Sequence, residues 1–189
     1  MPVSIRPATA EDASAIARVR IDSWRATYRG IVPDAYLDSM DVDESTQLWD
    51  RVLSADRTRA SVFVAEDDGR IVGFAAGNML KDPRDELNAE LTAIYLRPDY
   101  QHAGIGRRLV ESVARAERAH GANGLIVWVI SGNKRARAFY EGLGATLLIE
   151  QPFEWDGVPL VEAGYAFRDL DSLIDACVRN VDERPSTLH

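Results

Sequence analysis

The spacing of apolar residues in the first half of the chain predicts a strand, two helices and a hairpin. Apolar side chains recur every three or four positions after Ala13, which is typical of an amphipathic helix, and Thr9 with Asp12 resembles a capping box in front of it. Two apolar, β-branched runs flank an Asp-Asp-Gly turn at 67–69, a hairpin signal. The predicted elements are a strand at 3–6, a helix from 13 to about 29, a helix at 44–54, strands at 61–66 and 70–79, and a polar loop at 81–86.

The second half of the chain alternates predicted strands with predicted helices. A strand closes before Pro98, a helix opens near Gly104, and the run LIVWVI is typical of a fully buried strand. In chain order these elements are a strand at 91–96, a helix from about 104, a strand at 124–131, a helix at 133–143, strands at 146–153 and 160–167, and a helix at 170–178. This order predicts an α/β chain whose mixed sheet carries helices on both faces.

Composition defines the broad class of protein but not its chemistry. The 189 residues are enough for one domain, and 46% hydrophobic with 28% charged residues are ordinary globular values. No apolar run approaches the ~20 residues of a membrane span, and the first residues lack the apolar core of a signal peptide. The single cysteine, Cys177, fits a reducing compartment. We therefore expect a cytoplasmic domain without a membrane partner.

The charge is uneven along the chain. A net charge of −8 disfavours a nucleic-acid partner, because such binding requires a basic face. Residues 33–50 contain six acids and no base, whereas 101–108 contain two arginines and 132–140 three basic residues, both without an acid. The basic segments suit an anionic ligand and the acidic segment a cation. Solvated helix faces explain the same segments, and the sequence leaves both interpretations open.

The loop from Gln101 to Gly106 carries the strongest chemical signal. It follows a strand and leads directly into a helix. Its glycines let backbone N–H groups turn toward a ligand, and the helix N-terminus adds free donors, so the loop suits a phosphate or pyrophosphate. Arg107 and Arg108 add formal charge. The pattern lacks the features of nucleoside-triphosphate and dinucleotide loops, and taken alone it also fits a simple tight turn.

Two motifs at the right separation resemble the GCN5-related N-acetyltransferase (GNAT) family. Residues 101–106 match the signature [Q/R]-x-x-G-x-[G/A] at every defined position. A second signature is matched downstream by Asn133, Ala136, Phe139, Tyr140 and Gly144. The resemblance covers about residues 3–168 and departs from the family at Ala145, where an aromatic residue is common. It implies a GNAT domain over 1–169, with a mostly antiparallel sheet and a splayed parallel strand pair, followed by a helix and polar tail at 170–189.

The resemblance also implies an acetyltransferase that uses acetyl-CoA as its acetyl donor. The splayed strand would pair with the pantetheine arm, the amides of the loop would hold the pyrophosphate, and Asn133 would contact pantetheine. The residues assigned to acetyl-CoA in this way are Ile94, Tyr95, Leu96, Gln101, His102, Ala103, Gly104, Ile105, Gly106, Arg107, Asn133 and Ala136.

Two catalytic residues follow from the same resemblance. The Tyr140 hydroxyl would lie beside the thioester sulfur, where a phenol with a pKa near ~10 can give a proton to the leaving thiolate. Glu90 stands where several family members carry a catalytic glutamate, and its carboxylate would take the proton of the acceptor ammonium. The alternative for Tyr140 is a tyrosine that only packs in the core. The alternatives for Glu90 are a surface acid without a catalytic role and a water network that replaces it as the base.

The first helix and the loop after it shape the acceptor pocket in this family. Here they offer Trp24, Tyr28 and the acidic run after Pro33, and aromatic rings with carboxylates suit a small cationic amine. Both rings also lie on the apolar stripe of the helix, where plain core packing explains them. We expect direct transfer in a ternary complex, because Cys177 lies outside the matched segment. A protein or peptide acceptor, or an acyl-CoA-binding sensor without catalysis, is the alternative.

The remaining candidate chemistry is sparse. His102, His120 and His189 show no metal-ligand spacing, so no metal is expected. Homodimerisation is common in the family, and the sequence leaves it open.

Overall fold

The computed structural model describes residues 2–182, which form one sheet with helices on both sides. The strands are β1 (Ser4–Pro7), β2 (Ala60–Asp67), β3 (Arg70–Arg84), β4 (Leu87–Leu96), β5 (Leu125–Ile130), β6 (Thr146–Trp155) and β7 (Val158–Phe167). The helices are α1 (Ala13–Tyr28), α2 (Asp34–Ser39), α3 (Val42–Ser54), α4 (Ile105–Ala119), α5 (Lys134–Gly142) and α6 (Leu170–Asp182). His189 and the end of the predicted polar tail lie outside the described residues.

The sheet has the strand order β1-β2-β3-β4-β5-β7-β6. Every neighbouring pair is antiparallel except β4 and β5, which run parallel. That parallel pairing joins only residues 89–91 to 125–127, although β4 continues to Leu96 and β5 to Ile130. The two strands therefore separate beyond Leu91. The predicted mixed sheet with a splayed parallel pair is confirmed.

Helices pack on both faces of the sheet, as predicted. α4 lies across β2, β3 and β4, and α6 packs on α4. α1 lies across β3 and β4 with α3 against it. The apolar stripes account for this arrangement: Leu109 and Val113 of α4 and Ile16 and Ala17 of α1 are fully buried.

The start of α1 is anchored to the first strands, and here the sequence signal was accurate. The Thr9 backbone N–H donates to Asp12 Oδ2 at 2.8 Å, the reciprocal bond of a capping box. Arg6 binds both carboxylate oxygens of Asp12 and also Glu66 of β2. The Arg6 guanidinium thus links β1, β2 and the start of α1, and its hydrogen bonds lower the pKa of Asp12.

The predicted polar loop at 81–86 is wrong, because β3 continues to Arg84 and β4 begins at Leu87. Met79 pairs with Ala89 and Arg84 with Leu87, so residues 80–83 bulge from β3 opposite a single residue of β4. Such a bulge breaks the two-residue alternation by which a strand is recognised. The bulge becomes important at the candidate site.

Helix α2 was not predicted. Its six residues span less than two turns, too few for a helical period to stand out from the sequence. Leu37 nevertheless is fully buried, and the Arg25 side chain of α1 donates to the Leu37 carbonyl oxygen at 3.0 Å. Packing on α1 therefore explains this short helix.

Helix α6 shares the core of the domain. Leu170, Leu173, Ile174 and Cys177 are buried in the same apolar cluster as the inner face of α4. In residues 2–182, none of the helices combines the length and apolar character that crossing a membrane requires.

Candidate active site

A cleft opens where the pairing of β4 with β5 ends. β4 is buried at Leu91, whereas its residues from Thr92 to Leu96 are exposed or half-buried. A bulge at Thr92, whose hydroxyl donates to the Ala76 carbonyl oxygen at 3.1 Å, coincides with this change. The edge of β4 at Ile94, Tyr95 and Leu96 is consequently free of strand pairing on the β5 side.

The loop after β4 turns sharply before α4. His102 and Gly104 have φ angles of +67° and +76°, a region that favours glycine. The Gln101 side-chain amide donates to the Leu96 carbonyl oxygen at 3.1 Å and ties the loop, which includes Ala103, to the end of β4. The N–H groups in the first turn of α4 therefore lie beside the open strand edge, an arrangement that suits a pyrophosphate.

The start of α4 is packed closely. Ile105 is buried in the core, and a Cβ placed on Gly106 would come to 3.5 Å from the Phe139 ring of α5. Arg107 donates to the Ala176 carbonyl oxygen of α6, and Arg108 donates to the Val3 carbonyl oxygen before β1. Both guanidinium groups hydrogen-bond to neutral carbonyl oxygens of other elements and keep their positive charge, and their contribution to holding an anion at the loop stays a prediction.

Arg135 also brings positive charge to the loop. Its guanidinium lies 2.6 Å from the His102 Nε2 atom and joins α5 to the loop. The sequence marked residues 132–140 as basic, but it did not indicate which of the three side chains reaches the loop. The neighbouring Arg137 is engaged by Tyr165 and Glu150.

Tyr140 lies on the α5 side of the cleft and is 5% exposed. Three aromatic rings pack around it at centroid distances of 5.5 to 6.5 Å. Within residues 2–182 its hydroxyl makes no hydrogen bond, and burial, with smaller effects of Tyr28 and Tyr95, raises the pKa of the phenol. The hydroxyl therefore stays protonated at neutral pH and remains able to donate.

Tyr28 and Asn133 connect α1 to α5. The Asn133 Nδ2 atom donates to the Tyr28 hydroxyl at 3.2 Å, and its Oδ1 atom accepts from the Ala136 N–H at 3.1 Å, which caps α5. Burial raises the pKa of Tyr28. Asn133 thus has a structural role that the motif did not reveal, and its contact with pantetheine stays a prediction.

An aromatic cluster between α1, α2 and the β6–β7 hairpin is centred on Trp24. Its indole Nε1 donates to the Tyr95 hydroxyl at 2.9 Å. The rings of Tyr28, Trp155 and Tyr36 lie at centroid distances of 4.7, 5.7 and 6.4 Å, and Trp155 donates to the Tyr36 hydroxyl. Trp24 is 5% exposed, so packing accounts for most of its surface. Trp155 and Tyr36 form the outer wall of this cluster.

The acidic run after Pro33 has structural partners. Asp34 and Asp38 both pair with Arg29, and the Asp41 carboxylate caps α3 by accepting from the Glu44 N–H at 2.9 Å. Partners within the protein thus account for these three carboxylates, and a cation site in the acidic segment stays a prediction.

Glu90 lies half-buried just before the strands separate. It pairs across the sheet with Asn78 and Ile126, so the three side chains project from one face. Burial raises the pKa of this carboxyl, the Arg84 guanidinium opposes the rise, and the Glu162 carboxylate adds to it. A carboxylate with a raised pKa is a stronger base than an ordinary one.

Tyr28, Tyr95 and Tyr140 come from three separate elements, and the structure brings them close enough to influence one another electrostatically. Glu90 lies on the same strand as Tyr95, at the start of the opening. The sequence missed four side chains around this opening, because they come from the end of β3, α2, β5 and β6 and belong to neither motif. They are Arg84, Tyr36, Trp128 and Trp155.

The sequence matches the acetyltransferase (GNAT) family over residues 20–145. An N-acetyltransferase of Bacillus subtilis, YuaI, is 37% identical over 172 residues, which cover 90% of this chain and 96% of that protein. The chain therefore belongs to the GNAT family and is an N-acetyltransferase, as the two motifs predicted.

More distant relatives agree with this assignment. A spermidine N(1)-acetyltransferase of Thermoplasma acidophilum is 25% identical over 143 residues, which cover 74% of this chain and 86% of that protein. The crystal structure of PaiA N-acetyltransferase from Thermoplasma acidophilum, in complex with coenzyme A, has a TM-score of 0.68 at 23% identity. That similarity covers 86% of this chain and 98% of the other, and it shows a shared fold.

Proposed function

We propose that this protein transfers the acetyl group of acetyl-CoA directly to a primary amine of a small cationic molecule. The observation that carries the proposal is the separation of β4 from β5 after Leu91, with Glu90 before the opening and Tyr140 buried beside it. Family membership supports the acetyl transfer. The named activity of the spermidine acetyltransferase supports a small amine as acceptor.

The residues present fit acetyl-CoA. The free edge of β4 offers backbone groups to the pantetheine arm at Ile94, Tyr95 and Leu96. The positive φ angles of His102 and Gly104 and the start of α4 form a cradle of N–H groups for the pyrophosphate. When bound, acetyl-CoA would supply the thioester carbonyl that the amine attacks.

The side chains at the opening supply acid–base chemistry. Glu90 accepts the proton of the acceptor ammonium, directly or through a water molecule, and so frees the nitrogen lone pair. The protonated Tyr140 hydroxyl donates to the sulfur of the leaving thiolate. A backbone N–H of Tyr95 or Leu96 stabilises the oxyanion between these two steps.

Direct transfer agrees with the environment of the single cysteine. Cys177 is buried between α6 and α4, and burial raises the pKa of its thiol to about 12. A protonated, buried thiol is a poor nucleophile.

Trp24 and Tyr28, with the wall formed by Tyr36 and Trp155, are our proposed acceptor side of the site, where aromatic faces attract a cation.

Release of free thiol from acetyl-CoA tests the proposal. The acceptors are polyamines, aminoglycosides, amino acids, short peptides and a basic protein, and the wild-type chain is compared with Tyr140→Phe. We expect release with one class of small amines and a ~10²-fold lower turnover for the variant, since it loses the general acid. Acetyl-CoA affinity should change little, because the ring remains.

Two results would count against the proposal. Equal turnover of variant and wild type would remove Tyr140 from the mechanism. Tight acetyl-CoA binding without thiol release for any acceptor would favour the acyl-CoA-binding sensor instead.

A further inference from the structure

Trp128 of β5 forms a flat platform on the sheet face that carries Glu90. Ile126 pairs with Glu90, and Trp128 is two residues further along β5, so all three project from the same face. The indole lies over Gly164 of β7, where a Cβ would fall 2.7 to 3.1 Å from three ring carbons. Glycine at 164 therefore allows the ring to lie flat. Trp128 is half-buried, although its strand was predicted to be fully buried.

Arg84 reaches this ring from β3. Its guanidinium carbon lies 5.8 Å from the ring centroid. Because β4 stands between β3 and β5, the side chain has to cross β4 to reach Trp128, on the face where Glu90 projects. The guanidinium and the proposed base thus occupy one region of the sheet.

The bulge at 80–83 holds Arg84 in this position. Leu80 of the bulge packs in a small apolar cluster that contains Trp128 and Leu148. The Leu80 carbonyl oxygen also accepts a hydrogen bond from Arg59 at 3.1 Å. These contacts fix the backbone next to Arg84, whose exposed side chain extends from it to the Trp128 ring.

The guanidinium of Arg84 has no partner of opposite charge within ion-pair distance among residues 2–182, and its N–H groups make no hydrogen bond there. It does interact with Glu90 at longer range. Glu162, the other acid near Glu90, already accepts a hydrogen bond from Gln151 at 2.8 Å. The opening therefore presents a free guanidinium beside a carboxylate that serves as base.

We propose that Arg84, Trp128 and Glu90 form an acceptor platform for an amine that also carries a carboxylate, as an amino acid does. The inference rests on the proposed acetyl transfer and restricts its acceptors to small amines that carry a carboxylate, in place of the polyamines that the name of the spermidine acetyltransferase suggests. A guanidinium in cation–π contact with a ring keeps its N–H donors for a bidentate carboxylate, while the ammonium of the same molecule lies toward Glu90. A polyamine would place positive charge against Arg84.

Matched acceptor pairs that differ by one carboxylate test the platform. The pairs are lysine with cadaverine, ornithine with putrescine, and tyrosine with tyramine, and spermidine is added as a polyamine. The value of kcat/KM is measured with saturating acetyl-CoA at a pH above the acid limb of each protein's profile. The proteins are the wild type, Arg84→Gln, Arg84→Lys and, as control for a lost surface charge on α3, Arg51→Gln.

The wild type should prefer the amino acid to its amine by about 10- to 100-fold, the range expected for hydrogen bonds between charged groups. Arg84→Gln should lose this preference, Arg84→Lys should keep part of it, and Arg51→Gln should keep all of it. Unchanged thermal unfolding of Arg84→Gln would show that the variant is folded.

The other outcomes separate the two proposals. Turnover of amines and polyamines with no preference for the carboxylate overturns the platform and leaves the acetyl transfer intact. An equal loss for both members of each pair in Arg84→Gln also overturns it. Release of thiol with none of the acceptors overturns the proposed function and the platform together.

Discussion

The candidate catalytic side chains at the opening can be recognised in the sequence, but their pKa values depend on residues that the fold packs around them. Tyr140 was recognised from a motif, but its protonated hydroxyl, which has no hydrogen-bond partner in the described residues 2–182, is a result of burial among rings from α5 and β7. Glu90 was assigned from the position of a catalytic glutamate in the family, and its raised pKa comes from burial together with Glu162. The family resemblance therefore identified these two side chains, and the residues packed around them in the fold set their pKa values.

The pH dependence of catalysis should report the environment of Glu90. A base works only when deprotonated, and the pKa of this carboxyl is raised, so kcat/KM should fall with acid at a higher pH than an ordinary carboxyl would give. Glu162→Gln removes a neighbouring negative charge, so the pKa of Glu90 should decrease and the acid limb should move to lower pH. Profiles of kcat/KM against pH measure the shift.

Glu90→Gln is the control for this prediction, because it should abolish the acid limb along with most of the activity. An acid limb that keeps its position in Glu162→Gln, or that survives in Glu90→Gln, would assign the titration to another group.

The fit between helices and strands depends on small residues that a periodic pattern does not single out. A Cβ on Gly77 of β3 would lie 2.5 Å from Val113 Cγ1 of α4 and 3.2 Å from both Glu117 Oε1 and the Glu90 carbonyl oxygen. Glu117 is fully buried and accepts from the Ser61 hydroxyl at 2.6 Å. β3, β4 and α4 thus meet at one glycine.

Gly77→Ala should decrease the free energy of unfolding by about 1–3 kcal/mol, because the added methyl group overpacks this contact. Gly142→Ala is the matched control: it lies at the end of α5 with nothing within 4 Å, so alanine should be neutral or slightly stabilising. Urea unfolding of both variants measures the difference. Equal free energies of unfolding for the two variants would show that α4 shifts away from β3 without loss of stability.

At the scale of the whole molecule, the question is whether the domain ends before α6 or includes it. The family resemblance covers residues up to about 168, yet Leu173 of α6 is buried in the cluster that also holds Leu109 of α4. We propose that α6 folds as part of the domain and is not an independent appendage.

Leu173→Ala should decrease the free energy of unfolding by about 2–5 kcal/mol, since it removes a fully buried side chain. Val178→Ala, on the same helix but 41% exposed, should change it by less than ~0.5 kcal/mol. Thermal or urea unfolding compares the two, and a single transition should report α6 together with the sheet. A separate early transition, insensitive to Leu173, would show that α6 unfolds by itself.

The sequence predicted those features that depend on near neighbours along the chain. Apolar periods gave the helices α1, α3, α4, α5 and α6, and turn residues gave the hairpins, because side-chain spacing follows directly from helix and strand geometry. The loop at 101–106 was recognised for the same reason: its glycines and the helix start after it are consecutive. Family, fold and the class of enzyme followed from these local signals.

Features that join distant segments appeared only on folding. The bulge at 80–83 brings Arg84 across β4 to Trp128, and α2 meets the β6–β7 hairpin at Tyr36 and Trp155, more than 100 residues apart. Spacing along the chain does not encode such contacts, since they depend on strand order and on which helix covers which face. The physical reason is that packing and charge act through space, so the proposed acceptor side of this site is a property of the folded molecule.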